Sequence, residues 1–372
     1  MYKMHDVWIT GVGVVSALGF GLESHASAMI DARTGLAKHD FFNGNPPDPV
    51  ICGLIPPETL PVTIDESAPD RADLILELAL SQAVQNASLR QPLEADVIAG
   101  TTLGNMHGGT LYYKQLKEGK SPDISLIRHF LLCEPVSHVM EKLGVSGKRW
   151  TVASACGSAS AAIGQAFHMI RSGESRRVIA GGFEALSPFV VAGFNSLQLI
   201  SKRESRPFDR NRDGLNPGES GVMLVIEQKE AALQRGAPPL AAIAGFGDGF
   251  DAYHYTRSHP EGAGLARAIR KALASSHTAA GAIDHIHLHG TGTQANDLSE
   301  FMALKAVFND ALPALPVCST KPLTGHTFGA SGALNAVFSL LSIRERCVPP
   351  TLFLQELDPQ FEGLRTAGKP QK

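Results

Sequence analysis

Lys148–Met169 reads KRWTVASACGSASAAIGQAFHM, an apolar run that stops at a cysteine and passes into a stretch of alanine, glycine and serine. Lys148–Ala155 has the pattern of a buried strand, and Gly157–Met169 that of a tightly packed helix. Cys156 therefore falls at a strand-to-helix junction. A helix N-terminus carries free N–H groups and partial positive charge, which favour a thiolate and can hold an oxyanion. The ordinary alternative is a structural thiol, because free cysteine is among the most buried residue types.

Outward from this junction the same unit recurs. Val7–Val15 (VWITGVGVV) is an apolar run broken by glycines and reads as a strand and a turn; Asp96–Thr102 (DVIAGTT) and Arg177–Gly182 (RVIAGG) are further strands. Ala72–Leu89 has helical periodicity. Buried strands alternating with helices argue for an α/β fold built in layers. The second part of the chain echoes the first. Leu240–Gly247 (LAAIAGFG) repeats the opening strand, and Leu315–Ser319 (LPVCS) leads through a loop into a small-residue helix at Gly329–Ile343. Two similar halves, residues 1–235 and 236–372, are expected to pack together, with two separate domains as the alternative. Arg203–Gly221 is polar and turn-rich and reads as a surface loop, its Asp209, Arg210, Arg212 and Asp213 as solvated charges. Val348–Leu354 reads as an ordered segment, and Asp358–Lys372 as a polar tail.

Composition narrows the function classes. Apolar residues make up 44% of the 372 and aromatic residues only 6%, so the core must be aliphatic. A net charge of -3 gives no electrostatic footprint for nucleic acid. No apolar run is long enough to span a bilayer, and Met1–Val7 lacks the basic start of a secretory signal. The five cysteines, Cys52, Cys133, Cys156, Cys318 and Cys347, form no CxxC pair and read as reduced thiols of a cytoplasmic protein. Walker, HExxH and GxSxG signatures are absent, and Gly11-Val12-Gly13 lacks the third glycine of a dinucleotide fingerprint.

Two more segments carry candidate chemistry. In Asp284–Glu300 (DHIHLHGTGTQANDLSE), His285, His287 and His289 alternate along a strand. Zinc is the alternative use of such spacing, but no acidic or thiol ligand nearby completes a set, and no metal is expected. His285 and His287 read as strand residues. His289 precedes Gly290-Thr291-Gly292-Thr293, where the chain can turn the imidazole and hydroxyls toward a cleft. In Ser319–Gly332 (STKPLTGHTFGASG), Lys321 and His326 sit in a loop of small residues ahead of a helix.

Taken together these segments resemble the β-ketoacyl-acyl-carrier-protein synthases of the thiolase superfamily, closest to the elongating type. The markers are Ile9–Gly19 (ITGVGVVSALG), Ala155–Ala159 (ACGSA), Arg206–Gly214 (RPFDRNRDG), His289–Thr293 (HGTGT) and Lys321–Gly332 (KPLTGHTFGASG), in that order over nearly the whole chain. The resemblance implies a thiolase-like fold of two pseudo-repeated halves in a five-layered α-β-α-β-α arrangement. It implies a Cys–His–His site. Cys156 would take an acyl chain, and His289 and His326 would hydrogen-bond a malonyl thioester as it loses CO2. The enolate would then attack the acyl-Cys156, giving a β-ketoacyl product. Lys321 would orient His326, Glu300 would pair with Lys321, and Thr291 and Thr293 would grip the phosphopantetheine arm. No cofactor is required. The implied partners are an acidic acyl carrier protein, docking at Lys202, Arg203 and Arg206, and a second copy or a related ketosynthase in a dimer. The other reading is a non-catalytic, chain-length-factor-like subunit, against which the retained Cys156 and both histidines argue. Two departures stand out. Asn335 occupies a position where many elongating synthases have glutamate, which is expected to loosen the network around Lys321. Family members also continue past the position of Lys372 for about one strand pair, with a Gly/Phe-rich loop that supplies a gating phenylalanine and a second oxyanion N–H. Its absence here is expected to expose a sheet edge.

Overall fold

The computed structural model describes residues 4–42, 44, 49–60, 71–254 and 257–371. Eight strands matter for the site: β1 (Val7–Ser16), β2 (Asp96–Gly100), β3 (Arg149–Val152), β4 (Arg177–Glu184), β5 (Ser220–Gln228), β6 (Ala241–Ala242), β7 (Ile286–His287) and β8 (Val317–Cys318). So do five helices: α1 (Arg71–Asn86), α2 (Ser158–Ser172), α3 (Ala263–Ser276), α4 (Gln294–Phe308) and α5 (Ser331–Glu345).

The main sheet runs β6-β1-β5-β4-β2-β3. β1 is antiparallel to β5 and β5 to β4, whereas β4, β2 and β3 run parallel. β5 is buried along its whole length, and only Trp8 of β1 is partly exposed. Cover on both faces explains why these strands read as continuous apolar runs instead of alternating ones. α1 covers one face; α2 covers the other and packs against α5. β7 and β8 form a parallel pair beyond α5, and α3 and α4 lie outside it in an apolar cluster with Leu288, Phe301, Leu304 and Val317. These are the five expected layers.

The glycines of Val7–Val15 correct the turn expected there. β1 runs unbroken, and its glycines serve close packing instead. A Cβ added at Gly13 would lie 1.9 Å from the Ala79 carbonyl oxygen, and one at Gly11 2.7 Å from that of Ala83. The echo in the second half is exact in kind. A Cβ at Gly247 would lie 2.0 Å from the Ala268 oxygen, and one at Gly245 2.6 Å from that of Ala272. In both halves, alternate glycines meet helix carbonyls four residues apart, within strand β1 in the first half and in the segment that follows β6 in the second. Two strand residues advance about 6.6 Å and four helix residues about 6 Å, so the two repeats match.

The halves also differ. Between β1 and β2 the first half inserts β5 and β4. Among the described residues, no strand occupies the corresponding position between β6 and β7. An apolar groove of about 550 Å³ lies there, lined by Ile243, Ile286, Ala272, Ala336, Leu340 and Ile343.

The segment 203–221 overturns its reading as a surface loop. Asp209, Arg212, Asn216 and Glu219 are buried. Their burial is tolerated because nearly every polar group finds a hydrogen-bond partner, and Arg212 Nε, which has none, faces Asp297 at 3.5 Å. Asp209 accepts from the N–H groups of Asn211, Gln355 and Glu356 at 2.8–3.0 Å. Arg212 stacks 4.8 Å from the Phe361 ring and donates to Asp358 at 2.7 Å. The polar run fastens one half to the other.

Candidate active site

β3 ends at Val152, four residues before Cys156, so the nucleophile stands on an elbow and not on the strand itself. Ala155 takes φ 45, in the left-handed region that costs a non-glycine residue of the order of 1–3 kcal/mol. The elbow is pinned by Ser158, whose Oγ accepts from the Ser154 N–H at 2.8 Å and donates to the Ala155 carbonyl at 2.7 Å. α2 starts at Ser158 with Gly157 as its N-cap, which leaves Cys156 at the positive end of the helix.

The second half supplies the partners. Cys156 Sγ lies 3.2 Å from His326 Nε2, and the rings of His289 and His326 meet edge-on with centroids 5.1 Å apart. His326 is held by the buried polar segment: its N–H donates to the Asn216 carbonyl at 2.7 Å, and its carbonyl accepts from the Gly218 N–H at 2.9 Å. His289 follows β7. Glu300, on α4, accepts from the N–H groups of His289 at 2.6 Å and Gly290 at 2.8 Å.

The second ring nitrogens set the chemistry. His326 Nδ1 accepts from the Phe328 backbone N–H at 3.1 Å. A backbone amide can only donate, so in the neutral ring the proton is on Nε2, facing Cys156. His289 Nδ1 lies 3.3 Å from Lys321 Nζ, an ammonium that likewise can only donate. Its proton is therefore on Nε2 as well. Burial, reinforced by the Lys321 charge, pushes both imidazoles well below their usual range and keeps them neutral near pH 7. The pair is a set of two N–H donors suited to an oxygen that gains negative charge. Ligand atoms of Cys156, His289 and His326 do lie within 4.8 Å of one another. A metal would need both Nε2 lone pairs free, and the second partners of the rings oppose that tautomer.

Burial pushes the Cys156 thiol up, while the Lys321 charge pulls it down. Burial also lowers Lys321, and Glu300 opposes that shift. Two expected roles change here. Lys321 touches His289, at Nδ1 and at the carbonyl (2.5 Å), and no hydrogen bond joins it to His326. Glu300 makes no ion pair with Lys321 within 4.0 Å; its oxygens are taken by backbone N–H groups, and it acts on Lys321 through space. Asn335 Nδ2 donates to the Leu288 carbonyl at 3.3 Å, one residue before His289. Thr291 is buried and Thr293 half-buried, their hydroxyls 2.9 Å apart.

Of the three basic residues, Lys202 and Arg203 are exposed, but Arg206 is 8% exposed with Nη1 on Gln355. Arg206 lies under the polar segment and is not part of a docking face. His285 and His287 stay out of the cleft: His285 Nε2 meets Cys318 Sγ at 3.2 Å, and His287 stacks on Phe338. Sequence reasoning missed Glu184, Thr102, Asn216 and Phe328. The paired charges and prolines of 206–217 were the one signal for Asn216. No helix among the described residues is long and apolar enough to cross a membrane.

Known proteins share both the sequence and this framework. The β-ketoacyl synthase N-terminal domain pattern matches residues 4–232, and the C-terminal domain pattern matches residues 240–355. A 3-oxoacyl-[acyl-carrier-protein] synthase 2 of Synechocystis sp. is 32% identical, over 96% of this chain and 89% of its own length. Among solved structures, the ishigamide ketosynthase/chain length factor superimposes with a TM-score of 0.90 at 29% identity, covering 99% of this chain and 93% of the other. A ketosynthase bound to its type II PKS acyl-carrier protein gives a TM-score of 0.89 at 26% identity, with the same coverage. With matched patterns over most of its length and a thiol and two imidazoles converging in its cleft, the chain belongs to the β-ketoacyl synthase family.

Proposed function

We propose that this chain catalyses decarboxylative Claisen condensation between a Cys156-bound acyl group and malonyl-acyl-carrier protein. The observation that carries the reading is the Cys156–His326 contact at 3.2 Å, with the His326 proton directed to Nε2 by the Phe328 amide. Cys156 Sγ first displaces the carrier thiol and forms the acyl thioester. The malonyl thioester then loses CO2, and the electrons of the broken C–C bond pass to the thioester carbonyl. His289 and His326 donate Nε2–H to that oxygen. The enolate carbon attacks the acyl-Cys156 carbonyl, the new C–C bond forms as the C–S bond breaks, and the Cys156 thiolate leaves and takes up a proton from solvent. Removing one donor of this kind typically costs about 10²–10³-fold.

Lys321 positions His289 by donating to Nδ1. Glu300 fixes the same residue through its backbone and favours the charged lysine. Thr291 and Thr293 present hydroxyls to the phosphopantetheine arm, and exposed Lys202 and Arg203 meet an acidic carrier protein. A second copy or related subunit is supported by the exposed apolar residues Tyr113, Ile124, Phe130 and Leu131 and by the edge of β3, which is unpaired among the described residues. We place the boundary of the two halves near residue 235 and the protein in the cytoplasm, the latter on its five scattered cysteines, which form no CxxC pair.

The test is incubation with acyl- and malonyl-acyl-carrier protein. The expected result is acyl mass on Cys156 followed by a β-ketoacyl product. Neither acyl mass nor product would reject the proposal. Product formed only beside a second ketosynthase-like chain, at a rate unchanged by Cys156→Ala, would favour the non-catalytic subunit.

A further inference from the structure

The elbow that carries Cys156 is strained at Ala155, and α2 alone does not hold it. The Ala155 carbonyl accepts three donors: the N–H of Ser158 at 3.1 Å, the hydroxyl of Ser158 at 2.7 Å, and the hydroxyl of Thr102 at 2.9 Å. The first two come from the next turn of the same chain. Thr102 comes from the loop after β2, the strand beside β3, and with the longer Ser158 Oγ–Thr101 carbonyl bond (3.4 Å) it ties the elbow to the sheet.

Thr102 is itself braced from below. Glu184, the last residue of β4, is fully buried. Its Oε1 accepts from the Thr101 hydroxyl at 2.6 Å, the Leu103 N–H at 3.3 Å and the Thr102 N–H. The Thr101 hydroxyl accepts in turn from the Gly104 N–H at 2.9 Å, so the whole loop converges on one carboxyl oxygen. The loop that follows His326 rests on the same group. A Cβ added at Gly329 would lie 2.7 Å from Glu184 Oε1 and 2.7 Å from the Thr102 nitrogen. One carboxyl thus touches the loop that aims the thiol and the loop that carries the imidazole.

We propose that Thr102, braced by Glu184, is a positioning residue for Cys156: its hydroxyl holds the left-handed Ala155 elbow so that the thiol faces His326. The proposal deepens the condensing-enzyme reading and rests on it, because an aimed thiol is what acyl transfer needs. Without the tether, Ala155 relaxes toward negative φ and carries Sγ away from the 3.2 Å contact. The role asks only for an acceptor at Oε1. Glu184 Oε2 has no hydrogen-bond partner, and burial pushes the acid up to about 8, so the neutral form supplies that acceptor. Glutamine should then serve as well as glutamate.

Alkylation of Cys156 by iodoacetamide tests this without requiring condensation. The full chain and its Thr102→Val, Thr102→Ser and Glu184→Gln variants are alkylated, and peptide mass gives the rate at each cysteine. Exposed Cys133 serves as an internal reference. Thr102→Val, nearly isosteric, should slow Cys156 relative to Cys133 about tenfold, since displacements near 1 Å can cost up to about 10²-fold at a reacting centre. Its melting temperature should stay within about 1 °C of wild type. Thr102→Ser and Glu184→Gln should stay within about twofold of wild type, because they keep the donor and the acceptor. In condensation assays Thr102→Val should lower kcat and leave KM for the acyl carrier protein unchanged. An unchanged or faster Cys156 in Thr102→Val, failure of serine to rescue, or loss only in step with melting temperature overturns the proposal. If the alkylation pattern holds but wild type makes no condensation product, the functional reading fails and the positioning role stands.

Discussion

The two halves solve the same packing problem and then divide the chemistry. Each sets alternate glycines against helix carbonyls, Gly11 and Gly13 of β1 on α1, Gly245 and Gly247 of the segment after β6 on α3. Each sends its third strand through a short loop into a small-residue helix, α2 or α5, and those two helices meet in the middle layer. The loop in the first half delivers a thiol; the equivalent loop in the second delivers His326. The first half closes its sheet with the fully buried β5, whereas the second presents an apolar groove at the matching position. A shared backbone plan thus fixes where reactive groups go, and each half's loop decides which group arrives.

The comparison breaks first at the site. Cys156→Ala should remove all acyl mass. His326→Ala should leave acylation measurable while lowering condensation about 10²–10³-fold, the loss typical of one donor. Equal loss of both steps in His326→Ala would mean that the halves do not divide the work as described.

Acid should separate the halves next. The second half holds four histidines whose affinity for protons burial depresses, His285, His287, His289 and His326, with His285 at about 4. Among the described residues of the first half, burial depresses two, His25, fully buried and at about 4, and half-buried His39. Each folded value lies below the unfolded 6.5, so the unfolded state gains protons first as pH falls. Stability is full above 6.5 and is lost between 6.5 and about 4. Near pH 6 the four together should cost on the order of 2–3 kcal/mol. Hydrogen exchange at pH 6 against pH 7.5 should show protection falling in α3–α5 before α1 and α2. Uniform loss would contradict this.

The glycine ladders should respond alike. Gly13→Ala and Gly247→Ala each force a carbonyl aside and should cost about 1–3 kcal/mol by urea unfolding, agreeing within about 1 kcal/mol. Unequal costs would show that the echo is one of sequence and not of packing. The smallest effect is expected at Glu300→Gln. Removing the charge that favours protonated Lys321 should move the alkaline limb of the condensation pH profile downward by a fraction of a unit. An upward shift would reject the through-space role.

Much of this was legible in the sequence. The small-residue helix after Cys156 and the HGTGT and KPLTGH segments marked the reactive loops, because small residues are what allow backbones to approach and side chains to face a cleft. The glycines of β1 misled, since a strand glycine meets a helix as readily as it makes a turn, and only the register with Ala79 and Ala83 tells which. Segment 203–221 misled for the opposite reason. Its charges were counted as solvated, yet Asp209, Arg212 and Asn216 find partners from residues more than 80 positions away, or from turns that no periodicity encodes. The switch of Lys321 from His326 to His289 was invisible for the same cause: both histidines are within its reach, and the fold chooses.

The placement of the thiol and its imidazole in different halves has a temporal consequence. Cys156 and His326 are 170 residues apart. At about 5–20 residues per second, roughly 10–30 s of synthesis separate them. During that interval the nascent chain carries a cysteine with no donor beside it. Chemical competence is therefore acquired late and all at once, when the second half is in place, and a ribosome stalled between the two would hold a thiol not yet able to condense anything.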